Sequence, residues 1–157
     1  MTKVELPLTG RCHCGAVAYE VVEPPACCAV CHCTNCQRIS GSAFACNLVM
    51  AESSFRVTAG EIARVEWRAD SGNSRWGDFC ATCGSRIVHG STPSNGMLSL
   101  RSGTLDDRSW LTPVAHIWTR SAQPWVTFGR EDLTFETTPP GWSELIARFE
   151  ALGLFAS

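Results

Sequence analysis

Apolar and polar residues alternate from Ala16 to Val22, with Val17, Tyr19 and Val21 falling on one face. That two-residue period predicts a strand with one side buried. Residues 44–50, 54–58, 64–68, 86–89, 97–101 and 114–119 read the same way. Each is short, carries β-branched or aromatic residues, and is bounded by turn formers. Two segments have helical spacing instead. One is a short turn after Cys33, around Thr34 to Ile39. The other is C-terminal, where Leu145, Ile146, Phe149 and Leu152 form one apolar stripe, with Ser143 as the expected cap and Gly153 as the stop. Pro139-Pro140-Gly141 sets that helix apart. No repeat, low-complexity tract or charge block marks an internal boundary, so a single mainly β domain over 1–157 is expected, with a helical tail at 139–157.

Composition narrows the class. A chain of 157 residues, 45% of them hydrophobic, can bury roughly 70% of its unfolded surface without covalent staples. Thirteen basic against fifteen acidic residues give a formal charge of −2, which argues against a nucleic-acid partner. No stretch approaches the ~20 apolar residues of a membrane span. The first eight residues hold no signal-like apolar run, being interrupted by Glu5 and Pro7, so a cytoplasmic protein is expected. Ten cysteines are the outlier. In a reducing compartment, clustered thiols point to metal or catalysis rather than disulfides.

Their spacing carries the chemistry. Cys12 and Cys14 form a C-x-C pair followed by Gly15, and Cys80 and Cys83 a C-x-x-C pair followed by Gly84. Residues i and i+2 of an extended segment share a face, and a C-x-x-C turn aims two thiolates at one ion. Together the pairs predict one closed structural zinc site of four cysteines, joining segments about seventy residues apart. The alternative is that the pairs are unrelated, as redox-active pairs would be. Cys31, Cys33 and Cys36 form a triplet within six residues. Three protein ligands leave a fourth position for substrate, which distinguishes a catalytic zinc from a structural one. A soft, thiolate-rich site favours an exogenous thiol there and lowers its pKa. A fourth ligand from Cys27, Cys28 or Cys46 would close this site; otherwise those three are small buried residues. Two Zn²⁺ ions and seven thiolates would take the formal charge from −2 to about −5.

The order of motifs resembles the glutathione-dependent formaldehyde-activating enzyme and centromere protein V domain family. The carriers are Gly10-Arg11-Cys12-His13-Cys14-Gly15-Ala16-Val17, Cys31-His32-Cys33-Thr34-Asn35-Cys36-Gln37-Arg38, Ser40 to Ala45, Phe79-Cys80-Ala81-Thr82-Cys83-Gly84, Gly103 to Asp107, His116-Ile117-Trp118 and Gln123-Pro124-Trp125. The resemblance spans about residues 10–125. It implies a β-tent of antiparallel sheets around a structural zinc on Cys12, Cys14, Cys80 and Cys83, with a more labile zinc on Cys31, Cys33 and Cys36. The implied reaction is condensation of glutathione with formaldehyde, a carbon–sulfur lyase chemistry.

The expected function is therefore zinc-dependent activation of a thiol, glutathione or similar, for addition to formaldehyde or another small carbonyl compound, or the reverse cleavage. Cys31, Cys33 and Cys36 are the catalytic candidates. The rivals are a non-catalytic zinc-stabilised binding module and a redox enzyme of the methionine sulfoxide reductase kind. His13 and His32 are expected to point away from the metals. His116 reads as a core or rim histidine, or as a general base, and Asp106-Asp107 as a turn. Arg38, Arg86, Arg101 and Arg120 are the candidate cations for glutathione carboxylates. The six tryptophans are expected in the core and as lids over the zinc sites.

Overall fold

In the computed structural model, residues 3–69 and 72–156 are described. The strands in chain order are β1 (Leu8–Arg11), β2 (Ala18–Val21), β3 (Cys27–Cys31), β4 (Ala45–Ala51), β5 (Phe55–Ala59), β6 (Ile62–Arg68), β7 (Ser74–Cys80), β8 (Arg86–Thr92), β9 (Met97–Arg101), β10 (Ala115–Ile117) and β11 (Leu133–Phe135). Helix α1 (Thr34–Ser40) follows β3, and α2 (Ser143–Ala151) follows β11. β1, β2 and β5 make a small antiparallel sheet, and the other eight strands a large one in the order β11-β10-β3-β4-β9-β8-β7-β6. Pairing is antiparallel from β3 to β6, while β10 runs parallel to both β3 and β11. The class is mainly β with antiparallel sheets and a short C-terminal helix, as the sequence predicts.

Strand parity gives the large sheet two unlike faces. Cys28 pairs with Leu48, Leu48 and Met50 with Leu100 and Leu98, and Leu100 with Val88. These side chains are at most 4% exposed and form the core, joined by Val17, Tyr19 and Val21 from the small sheet. The opposite parity carries Cys31, Asn47, Ser99, Arg101, His89 and Arg75. A sheet with one apolar and one polar face normally turns the polar face to water. Here that face lines a cavity.

Helix α2 packs on β3 and buries Leu145 and Phe149. Its expected cap is displaced by one residue: Trp142 occupies the cap position and Ser143 is the first helical residue. The stripe is also narrower than its sequence suggests, since Ile146 is half-buried and Leu152 is 38% exposed. Gly153, at a φ of 60°, ends the helix through its amide on the Glu150 carbonyl. Among the described residues, no helix is long and apolar enough to cross a membrane.

Candidate metal centres and the adjoining cavity

The two pairs 12/14 and 80/83 converge. Cys12 follows β1, Cys80 closes β7, and Cys83 lies in the β7–β8 turn. Their four sulfurs lie within 4.8 Å of one another, with Cys12–Cys14 at 3.5 Å and Cys14–Cys80 at 3.8 Å. Four sulfurs placed tetrahedrally at ~2.3 Å from an ion stand about 3.8 Å apart, so the donor set fits zinc. Both turns finish on a left-handed glycine, Gly15 at 79° and Gly84 at 76°, whose amides return to the carbonyls of Cys12 and Cys80. An L side chain would strain either position. Backbone donors already favour the ionised sulfurs, with the Val17 amide 3.2 Å from Cys12 Sγ. Ser85, through its hydroxyl and its amide, holds Cys83 down at about 5. The Ala16 amide lowers Cys14, but the crowding thiols of Cys12, Cys83 and Cys80 carry it up to about 12. A divalent cation takes the place of protons held in this way.

The triplet is also assembled. Cys31 is the last residue of β3, Cys33 caps α1 by accepting the Cys36 amide at 3.3 Å, and Cys36 lies in the first turn of α1. The three sulfurs lie within 4.8 Å of one another. Hydrogen bonds from Cys31 and Cys33, reinforced by the charge of Arg101, hold Cys36 down at about 3, while Cys33 and Cys36, with burial, push Cys31 far up. Among the described residues no further histidine, cysteine or carboxylate joins them. Cys28 and Cys46 pair with each other instead, Sγ to Sγ at 3.5 Å. The triplet is thus a three-donor set, and its thiolates suit zinc.

The turn carrying it is stitched from beneath. His32 turns to His116 rather than to the metal cluster, as expected, and is fully buried. Its Nε2 lies 2.9 Å from His116 Nδ1, with Phe44 and Phe128 edge-on to its ring. Burial first, then His116, lowers His32; burial also lowers His116, against Asp132. His116 therefore props His32, while its Nε2 stands 3.8 Å from Asp132. Gln37 Nε2 donates to the carbonyls of His32 and Ser121, and Gln123 Nε2 donates to Gln37 Oε1. Trp118, at a left-handed φ of 60°, packs with Ile117 against Cys31 and Cys36. Such a backbone is uncommon for a bulky residue.

The triplet opens into a cavity of about 330 Å³, at the small end of ligand pockets. Trp67, Trp118 and Trp142 supply apolar wall; Asn47, Arg75, His89 and Arg101 supply polar wall. Arg101 is 8% exposed; its Nη1 donates to Asn47 Oδ1 at 2.8 Å and faces Cys36 Sγ at 3.8 Å.

A family model described as glutathione-dependent formaldehyde-activating enzyme matches residues 7–121. The chain belongs to that family. The match to the glutathione-dependent formaldehyde-activating family holds all seven clustered cysteines and leaves β11 and α2 outside. A Rhodobacter sphaeroides protein, solved as a structural-genomics target, is similar at 25% identity over 68% of this chain and 92% of its own, with a TM-score of 0.48. Comparison with curated proteins returns no match.

Of the other residues singled out in the sequence, His13 is exposed. Asp106 lies in a bend, where it accepts from Arg11 and Thr9, and Asp107 leads into the turn at Ser109 and Trp110, accepting the Ser109 amide. Arg38 and Arg120 are exposed, and Arg120 stacks on Trp118 at 4.8 Å. Of the tryptophans, Trp76 is core and Trp118 covers the triplet, whereas Trp125 is 69% exposed. Trp67 joins the cavity wall as one of the tryptophans expected near the metal sites, whereas Arg75 and His89 are not among the site candidates. His89 has only its polar-face parity as a signal, which also describes an ordinary solvated face, and Arg75 lies on a strand that the alternation does not reveal.

Proposed function

We propose that the protein activates a thiol at Cys31, Cys33 and Cys36 for addition to formaldehyde or another small carbonyl compound, or catalyses the reverse carbon–sulfur cleavage. The observation that carries this reading is positional: the three-donor set lies on the wall of the cavity, while the other cluster already has four donors. A zinc ion held by the triplet would supply a soft Lewis-acid seat that keeps a substrate thiol ionised at neutral pH. The chain's own residues do the rest. Arg101 balances negative charge beside Cys36. Trp118 and Trp142 keep water from the sulfur, which strengthens each charge interaction in the cavity. In the addition, the thiol gives up its proton, its sulfur forms the new bond to the carbonyl carbon, and the carbonyl electron pair moves to oxygen, which takes a proton.

The test is proton NMR of formaldehyde with glutathione or 2-mercaptoethanol, comparing the zinc-replete protein with Cys33→Ser. Faster adduct exchange with the native protein, lost in the variant, supports the enzyme. Exchange at the uncatalysed rate with every thiol would leave a zinc-stabilised binding module.

A further inference from the structure

Formaldehyde and a plain thiol are neutral, so thiol activation alone asks for no paired cations in the cavity, whereas a carboxylate-bearing substrate does. The polar face of the large sheet carries two arginines with a histidine between them, which burial and the neighbouring arginine charges hold neutral, its pKa lowered to about 3. Register places Arg75 opposite Ser91, two residues from His89; His89 pairs with Ser99, two residues from Arg101. Arg75, His89 and Arg101 therefore share a face across β7, β8 and β9, and all three line the cavity. Arg86 comes to the same face through the bulge in β8, with its guanidinium over Gly77, where any Cβ would strike Nη1. No aspartate or glutamate lines the cavity among the described residues. The described carboxylate pairs, Arg64–Asp78, Arg11–Asp106, Arg56–Glu20 and His116–Asp132, leave Arg75, Arg86 and Arg101 out.

Two polar atoms of cavity-lining residues are buried without a partner, Arg101 Nε and His89 Nδ1; Arg86 Nη1 is a third on this face, but Arg86 does not line the cavity. A buried polar atom left unpaired is costly, more so when charged, so the two that line the cavity indicate a ligand that satisfies them. Charge balance agrees. Three thiolates and one divalent cation net −1, which Arg101 offsets, and Arg75 remains over. Arg101 is more than nine-tenths buried and held by Asn47 through Nη1, leaving the edge that bears Nε, one a guanidinium uses to grip a carboxylate.

We infer that the cavity binds a carboxylate of the substrate at Arg101, Arg75 and His89, beside the thiol seat on the cysteine triplet. The substrate is then a small anionic compound, with the carboxylate borne by the thiol or by its carbonyl partner. The inference rests on the proposed thiol activation for its reaction, but not for the binding itself.

Isothermal titration of the zinc-replete protein at fixed salt tests it, with 3-mercaptopropionate, its neutral analogue 3-mercaptopropionamide, and glyoxylate as probes. Native protein should bind mercaptopropionate about tenfold more tightly than the amide, and Arg75→Gln should erase that preference while leaving the amide unchanged. Arg68→Gln removes the same charge from an exposed position outside the cavity and should change nothing. An acid preference assigns the carboxylate to the thiol; Arg75-dependent binding of glyoxylate with no such preference assigns it to the carbonyl partner. Equal affinity for acid and amide, with glyoxylate unbound, would overturn the seat. Cys33→Ser separates the two readings: amide binding that survives it overturns the thiol seat, while an acid preference that persists in the same variant upholds the carboxylate seat.

Discussion

Cys46 is the residue whose chemistry was least visible in its surroundings along the chain. It stands alone between Ala45 and Asn47, and a lone cysteine in a strand reads as packing. The fold places Cys28 3.5 Å away on β3, and hydrogen bonding from that thiol lowers Cys46 to about 7, with help from Ser102. Cys27 and Cys28 are fully buried, whereas Cys46 is partly exposed. In zinc-replete protein, iodoacetamide should label Cys46 first, with a rate that rises with pH through a midpoint near 7, because the thiolate is the reacting form. Peptide mass mapping across a pH series checks this; prior labelling of Cys27, or a rate that climbs only above pH 9, would show the pairing to be wrong. The clustered cysteines were legible for the opposite reason: C-x-C and C-x-x-C are local devices whose geometry is complete within four residues. Arg75 was not, because its strand itself went unread, and His89 was not, because a cavity wall and a wet surface share the same alternating pattern. Only the neighbouring strands decide which is present.

At the level of elements, the seven strands read from alternation are all present, and β9 runs from Met97 to Arg101 as expected. Four strands escaped, each for its own reason. All five residues of β3 are buried, and its Cys27-Cys28-Ala29-Val30-Cys31 run has no alternation and a single β-branched residue, Val30. β7 contains Gly77 and Asp78, residue types depleted in strands; the fold buries Asp78 and satisfies it with both Nε and Nη2 of Arg64, at 2.7 and 2.9 Å. β1 and β11, at four and three residues, are too short to show a period. Helix α2 shows what such an element contributes. Its Leu145 and Phe149 cover β3, whose last residue is the candidate ligand Cys31, so the helix supports the strand that carries it from the core side. Leu145 is fully buried, and Leu145→Ala should destabilise the protein by about 2–5 kcal/mol. Urea unfolding followed by tryptophan fluorescence measures it. A loss under about 1 kcal/mol would mean that α2 is not part of the cooperative unit.

For the whole molecule the question is what joins the small sheet to the large one. Besides the shared core, the polar ties are few. Tyr19 Oη meets Thr104 Oγ1 at 2.7 Å, Gly10 bridges to Leu105, and Arg11 pairs with Asp106. The Arg11 side chain is 65% exposed, and pairs of that kind contribute less than about 1 kcal/mol. The four-cysteine cluster spans the same joint, from the end of β1 to the β7–β8 turn, across about seventy residues of chain. A metal there closes a long loop, and its binding free energy becomes folding free energy. The triplet closes only a six-residue segment that β3 and α1 already order, so its metal has little folding to support. The two sites should therefore separate on mutation. Cys80→Ser should lower the melting temperature by more than about 10 °C along with its zinc content, since each kcal/mol is worth roughly 2–4 °C at this size. Cys33→Ser should lose metal from the triplet and melt within a few degrees of the native protein. Elemental analysis beside thermal melts of both variants decides it: equal destabilisation would abolish the division into a structural and a working site, whereas metal loss without destabilisation at Cys33 alone would leave the triplet free for exchange with substrate.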